Sequence, residues 1–192
     1  MTESEILKIF ESTGALLNGH FLLTSGRHSD KYFQCAKVLQ YPEYTSQVCS
    51  VLSEFFSKLE IDTVIAPAMG GIIVGYEVAR QLGKRSIFTE RENNIMTLRR
   101  GFSLSENEKV LVCEDVVTTG GSVFEVIEIV KSFKAKVIGV GSIVDRSNGK
   151  VDFGFPFISS LKLDVISFTA DECPLCKENK IALVKPGSRK VI

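Results

Sequence analysis

Residues 110–122 read Val110-Leu-Val-Cys-Glu-Asp-Val-Val-Thr-Thr-Gly-Gly-Ser122. A short apolar run ends in two acids, and a turn rich in hydroxyls and glycine opens a segment carrying Val123, Val126, Ile127 and Val130 at helical spacing. The pattern predicts a buried strand, a tight loop and a helix, with two sub-sites of opposite preference at their junction. The free amides of a helix N-terminus, lined by small residues, attract a phosphate. The carboxylate pair accepts hydrogen bonds from neutral hydroxyls. A phosphorylated sugar satisfies both. A lone Thr-Gly-Gly-Ser is also an ordinary helix start, so the fixed order of strand, acids and loop is what carries the reading. The stretch lacks the Gly-Lys-Ser/Thr ending of a P-loop, and its glycines are not spaced as in the dinucleotide fingerprint.

On either side the chain alternates between short β-branched runs and stretches of period 3.6. Thr63-Val-Ile-Ala-Pro67 predicts a buried strand, followed by Met69-Gly-Gly-Ile72 and a helix to about Leu82-Gly83. Ser86–Thr89 predicts another strand, and the polar stretch from Glu90 to Arg100, with Asn93-Asn94, favours a loop over a regular element. Val137–Val144 predicts a third buried strand, and Leu161–Ser167 an edge strand ahead of an irregular tail with Pro174 and Pro186. Near the N-terminus, Thr2-x-x-Glu5 is a capping box before Ile6, Leu7, Ile9, Phe10, Leu16 and Leu17, so a helix is expected there, ending near Gly14 or Asn18-Gly19. His20–Phe33 then reads as strand, turn, strand about Ser25-Gly26. Val48, Val51, Leu52, Phe55, Phe56 and Leu59 share one helical face. Strand–helix alternation with short crossovers predicts an α/β fold: a doubly wound, mainly parallel sheet flanked by helices, binding ligands beyond the carboxyl ends of its strands.

The 192 residues fit one domain, 1–192. Lys plus Arg and Asp plus Glu are 23 each, so the formal net charge is zero. That removes the surplus of positive charge on which duplex binding rests, and no nucleic-acid partner is expected. No apolar run reaches the length of a spanning helix, and the acidic start Met1-Thr-Glu-Ser-Glu5 is unlike a signal peptide, so a cytoplasmic protein without membrane contact is expected. The five cysteines are odd in number and scattered, which makes reduced thiols the default. Cys173-Pro-Leu-Cys176 has zinc-knuckle spacing, but a closed site needs four ligands, and His20 and His28 are far away in sequence. No metal ligand is therefore expected from the chain.

The 110–122 stretch closely resembles the signature of the type I phosphoribosyltransferases. Phe21-Leu-Leu-Thr-Ser-Gly-Arg27 with Lys31-Tyr-Phe33, Thr63–Gly71, and Val144-Asp-Arg146 are similar to the hood, pyrophosphate-loop strand and base-contacting arginine of the orotate phosphoribosyltransferases among them. The resemblance implies a small N-terminal hood, from about 18–40 together with the C-terminal tail. It also implies transfer of phosphoribosyl from phosphoribosyl pyrophosphate (PRPP) to orotate. Carried over, Glu114 and Asp115 hold the ribose and Val116, Val117, Thr118, Thr119, Gly120, Gly121 and Ser122 surround the phosphate. Met69, Gly70 and Gly71 form the pyrophosphate loop. Thr118, Arg146, Arg27, Tyr32 and Phe33 face orotate. Arg91, with Arg99 and Arg100, would act from a mobile loop that in the family reaches across a homodimer. Mg2+ would arrive on the pyrophosphate and sugar hydroxyls rather than in a protein cage.

This chain departs from many members at three places. Thr24 precedes Ser-Gly-Arg in place of a lysine, Ala68-Met-Gly-Gly71 lacks the pyrophosphate-loop lysine, and Arg91–Arg100 contains neither lysine nor histidine. The usual loop lysines therefore have no counterparts. Two other readings stay open: a phosphoribosyltransferase for another base, and a regulator that senses PRPP on the same fold without turnover.

Overall fold

The computed structural model describes residues 1–23, 26–163 and 166–186. Helix α1 (Glu3–Ser12) begins at the expected capping box: the Glu5 amide donates to the Thr2 hydroxyl at 3.3 Å, and the Thr2 amide donates to the Glu5 carboxylate at 2.8 Å. It buries Ile6, Ile9 and Phe10 and stops ahead of Gly14, whose φ of +64° is left-handed. Leu16 and Leu17 are therefore not part of the helix face, as the periodicity had implied. They open strand β1 (Leu16–Leu22) and pair with Phe33 and Tyr32 of β2 (His28–Phe33). The tail adds β9 (Ser167–Phe168) to the other edge of β2, giving a three-stranded antiparallel sheet. Ser25 of the expected turn, and Thr24, lie outside the described residues.

After α2 (Ala36–Leu39), helix α3 (Pro42–Phe56) starts with Pro42 in its first turn and buries Val48, Leu52 and Phe56. Leu59, counted on the same face, falls beyond the helix end and is exposed. The second sheet comprises β3 (Thr63–Pro67), β4 (Arg85–Glu92), β5 (Ile95–Leu98), β6 (Lys109–Val117), β7 (Lys136–Asp145) and β8 (Phe157–Lys162), in the order β5-β4-β3-β6-β7-β8. All neighbours are parallel except β4 and β5. Those two form a hairpin where a loop was expected. Asn93 and Asn94 both have positive φ, +51° and +65°, the two-residue turn whose twist matches antiparallel strands. The edge strand falls at Phe157–Lys162 rather than Leu161–Ser167; Asp164 and Val165 lie outside the described residues.

The strands are covered on both faces, which explains their continuous apolar runs. Val64, Ala66, Leu111, Cys113 and Ile143 face α3 and helix α4 (Gly70–Leu82); Ile65, Val110, Val112 and Val140 face helix α5 (Gly121–Ser132). Each fully buried Val, Ile or Leu contributes about 1.5–3 kcal/mol before packing effects. Helix α4 lies tight on the sheet because Gly75 has no side chain: a Cβ there would sit 2.9 Å from the Ala66 Cβ. Among the described residues, no helix is long and apolar enough to cross a membrane.

Glu77 fastens α4 to α3. Its carboxylate accepts from Arg80 Nε and Nη2, both at 2.8 Å, and from Gln81 Nε2 at 2.7 Å, while Gln81 also donates to the Ser46 carbonyl at 2.9 Å. The Arg80 guanidinium and the Gln81 amide hold the Glu77 carboxyl at about 2, against the desolvation that would raise it. A lowered folded-state value means stability that is full above the ordinary carboxylate range and lost as pH falls toward about 2. The thermal midpoint of the wild type should therefore exceed that of Glu77→Gln at neutral pH, and the gap should close as pH is lowered from about 5 to 2.

Candidate active site

Three strand ends meet at one edge of the parallel sheet. From β3 the chain leaves through Ala68 and Met69, joined by a cis peptide, into α4; from β6 it leaves through Thr118–Gly120 into α5; from β7 it leaves at Arg146. Strands β3 and β6 are neighbours, yet α4 crosses one face of the sheet toward β4 and α5 crosses the other toward β7. The crevice between them is the switch point at which doubly wound sheets bind ligands.

Glu114 is buried, 8 % exposed, and its Oε1 accepts the Asp115 amide at 2.9 Å; Asp115 Oδ1 accepts the Val116 amide at 2.9 Å. Both acids lie against the glycines that begin α4. A Cβ at Gly70 would be 2.1 Å from Asp115 Oδ2, and one at Gly71 would be 3.1 Å from Glu114 Oε1. Across the crevice, Gly120 adopts φ +75° beneath Phe153, which a Cβ would meet at 2.8 Å, so only glycine fits there. No side chain at Gly120 caps the first amides of α5, and Thr118 and Thr119 are exposed.

Arg146 completes the group. Its amide donates to the Val117 carbonyl at 2.8 Å, and its guanidinium lies 5.6 Å from the centre of the Phe33 ring, so β2 of the smaller sheet reaches the crevice. Burial pushes the guanidinium below its usual range, opposed by nearby Tyr32 and Cys35. The buried Nε has no hydrogen-bond partner among the described residues. An unpaired buried donor on a cation is costly, and a planar anionic acceptor relieves it. Cys35 Sγ approaches the Asp115 carbonyl at 4.0 Å; burial, reinforced by Asp115, pushes this thiol well up, so it stays neutral.

The phosphoribosyl transferase domain family matches residues 38–175. Orotate phosphoribosyltransferase of Thermoanaerobacter sp. (strain X514) is 60% identical over 190 residues, covering 99% of this chain and 100% of that protein. The one from Caldanaerobacter subterraneus subsp. tengcongensis is 59% identical over 191 residues, covering 100% of both. The chain belongs to the orotate phosphoribosyltransferase family. Among solved structures, orotate phosphoribosyltransferase from Aeropyrum pernix superposes with a TM-score of 0.72 at 26% identity, covering 82% of this chain and 93% of that one.

Within this phosphoribosyltransferase fold, the remaining residues named from sequence divide. Glu114, Asp115, Gly70 and Gly71 converge, as do Arg146, Tyr32, Phe33 and the 117–122 loop. Met69 is 82 % exposed at the mouth of α4. Arg27 is held elsewhere: its Nε donates to Ser167 Oγ at 2.8 Å and its Nη2 to the Ser167 carbonyl, tying the start of β2 to β9. Arg91 lies in β4, where it donates to the Asn94 carbonyl at 2.8 Å and pairs with Glu125 of α5. Arg99 pairs with Glu92 at 3.2 Å and Arg100 with Glu90 at 3.0 Å. All three arginines are thus on or beside a hairpin and matched by acids. A surface depression of about 600 Å³ lined by Phe56, Leu59, Ile61 and Leu82 opens beside the amino ends of β3 and β6, away from these groups.

Two features escaped the sequence reading. The contact between Gly70 and Asp115 joins positions in different strand–helix units, and only the order Gly-Gly after a strand hinted at it. The separation of His20 and His28 from Cys173 and Cys176 also proved illusory. The fold brings their ligand atoms within 4.8 Å of one another.

Gly70→Ala tests the close approach. Gly70 opens α4 without a positive φ, so alanine suits its backbone, but Asp115 must move. Turnover should fall roughly 10–100-fold through that displacement, while the thermal midpoint stays near the wild-type value.

Proposed function

We propose that the chain transfers the phosphoribosyl group of PRPP to orotate, giving orotidine 5′-phosphate and pyrophosphate in pyrimidine biosynthesis. The observation that carries this reading is Arg146: a half-buried guanidinium whose buried Nε has no partner among the described residues, near Phe33 and beside the acids of β6. It offers charge and donors to a planar, negatively charged base.

In the reaction a bond forms between ribose C1 and a ring nitrogen of orotate while the bond from C1 to pyrophosphate breaks, and the proton of that nitrogen leaves to pyrophosphate or solvent. Positive charge grows on the sugar and negative charge on the leaving group. Glu114 and Asp115 accept hydrogen bonds from the ribose hydroxyls and sit on the side where cationic character develops. The loop from Val117 to Ser122 and the amides of α5 hold the 5-phosphate. Met69, Gly70 and Gly71 leave room for pyrophosphate at the start of α4. Thr118 and Arg146 orient orotate, with Tyr32 and Phe33 closing the hood over it. Arg27 supports that hood through Ser167. The cations available to pyrophosphate from the hairpin are Arg91, Arg99 and Arg100, and engagement means exchanging Glu125, Glu92 or Glu90 for the ligand.

Mg2+ would come with PRPP, carried on its pyrophosphate and sugar hydroxyls, and the hard carboxylate oxygens of Glu114 and Asp115, which hold those hydroxyls, suit such an ion. When bound with PRPP, the ion compensates the charge of the departing pyrophosphate. A homodimer is supported by Met69, Ile73 and Tyr76, exposed at helical spacing along α4 beside the pyrophosphate loop. A cytoplasmic location fits a biosynthetic enzyme of this kind.

With PRPP and Mg2+, absorbance should report consumption of orotate and leave uracil, adenine and hypoxanthine unchanged; turnover of another base, or of none, would replace this reading by the alternative substrate or the regulator. Asp115→Asn should reduce turnover roughly 10²–10³-fold with the fold intact. Arg146→Ala should lower kcat/KM for orotate roughly 10²-fold, the scale of a lost charged hydrogen bond. The KM for PRPP should change much less, and equal losses for both substrates would count against base recognition.

A further inference from the structure

Away from the crevice, the outer part of the smaller sheet carries a group that phosphoribosyl transfer does not use, three of its members buried and the fourth, Cys176, exposed. His20 of β1 and His28 of β2 are 3 % and 5 % exposed, with ring centroids 5.1 Å apart. Cys173, fully buried, stands just before helix α6 (Pro174–Glu178), and Cys176 lies three residues on, so both thiols reach His20. Pro174 in the first helical turn sets the bend between them. We propose that these four side chains form a structural Zn2+ site that fastens the C-terminal tail to the β1–β2 hairpin.

The distances support a tetrahedron. Zinc bonds of about 2.0–2.1 Å to nitrogen and 2.3 Å to sulfur put ligand atoms roughly 3.3–3.8 Å apart. His20 Nε2 is 3.1 Å from His28 Nδ1, 3.5 Å from Cys173 Sγ and 3.6 Å from Cys176 Sγ, and His28 Nδ1 is 3.2 Å from Cys176 Sγ. Two thiolates and two imidazoles favour zinc over Mg2+ or Ca2+, and four protein ligands leave no open position, which marks a structural rather than a catalytic ion. His20 Nδ1 lies 3.2 Å from the Ile181 carbonyl. A proton on Nδ1 donates to that oxygen and leaves the Nε2 lone pair for the metal, the usual outer support of a zinc-bound histidine.

The placement explains what the ion would do. The tail already runs beside β1: the Leu22 amide donates to the Val184 carbonyl at 2.9 Å and the Val184 amide to the His20 carbonyl at 2.8 Å. Closing the four ligands locks this strip to β2, whose other end carries Tyr32 and Phe33. The ion therefore stabilises the hood without touching the reacting groups.

Metal analysis of the full chain, purified in reductant without a histidine tag, should find roughly one zinc per chain. Co2+ added to the metal-free protein should give tetrahedral ligand-field bands with thiolate-to-cobalt charge transfer. Both signals should vanish in Cys176→Ser and in His28→Ala. Removing zinc with a chelator should lower the thermal midpoint by several degrees, and Zn2+ should restore it. A reduced wild-type chain that contains no zinc as purified and shows no thiolate–cobalt band would overturn the site, as would retention of both signals in the Cys176 and His28 variants. These readouts are independent of turnover, so they stand or fall separately from the assignment of orotate.

Discussion

Asp115 Oδ2 occupies the space in which a Cβ of Gly70 would lie, and the site is organised around that contact. A parallel sheet covered on both faces has no room for chemistry along its strands, so polar groups collect where the strands end. Two crossovers that leave β3 and β6 toward opposite faces open a crevice there. Because α4 begins with Gly70 and Gly71, its first turn can come up against the Glu114–Asp115 pair and leave a narrow wall of backbone and carboxylate. Larger residues at either position would push the helix or the acids away and widen the crevice.

The chain handles a polyanionic substrate at zero net charge by concentrating its positive potential. The first amides of α5 and the half-buried Arg146 face the crevice, whereas Arg91, Arg99 and Arg100 are matched by Glu125, Glu92 and Glu90. A side chain that is already paired contributes little field at a distance, and exposed pairs of this kind are worth little to stability. The acids thus hold the arginines of the hairpin without fixing them strongly. This arrangement differs from a lysine-rich loop, in which the cations repel one another until a ligand binds.

The smaller sheet joins the tail to the crevice. At one end Arg27 and the His20–His28–Cys173–Cys176 cluster grip the C-terminal segment; at the other, Phe33 stacks near the guanidinium of Arg146. Tail residues far from the crevice in sequence thereby influence where β2 sits, and hence how closely Phe33 approaches Arg146.

Much of this was legible in the residues themselves. Alternating apolar runs and helical periods specify a doubly wound sheet, because strands buried on both faces cannot be written any other way, and the acid–acid–hydroxyl–glycine order marks the strand end that opens onto the crevice. Short-range signals were also reliable where local chemistry decides, as at the Thr2–Glu5 cap. They failed where pairing overrides periodicity: Leu16 and Leu17 fit a helical face yet belong to β1, and Glu90–Leu98 is polar yet closes into a hairpin through Asn93 and Asn94. What only the tertiary structure decided are the contacts between distant segments: Gly70 on Asp115, Phe33 under Arg146, and two histidines meeting two cysteines from the opposite end of the chain. Sequence records which side chains can coordinate, stack or yield space. Their meeting depends on how strands register and crossovers pack, which no local spacing encodes.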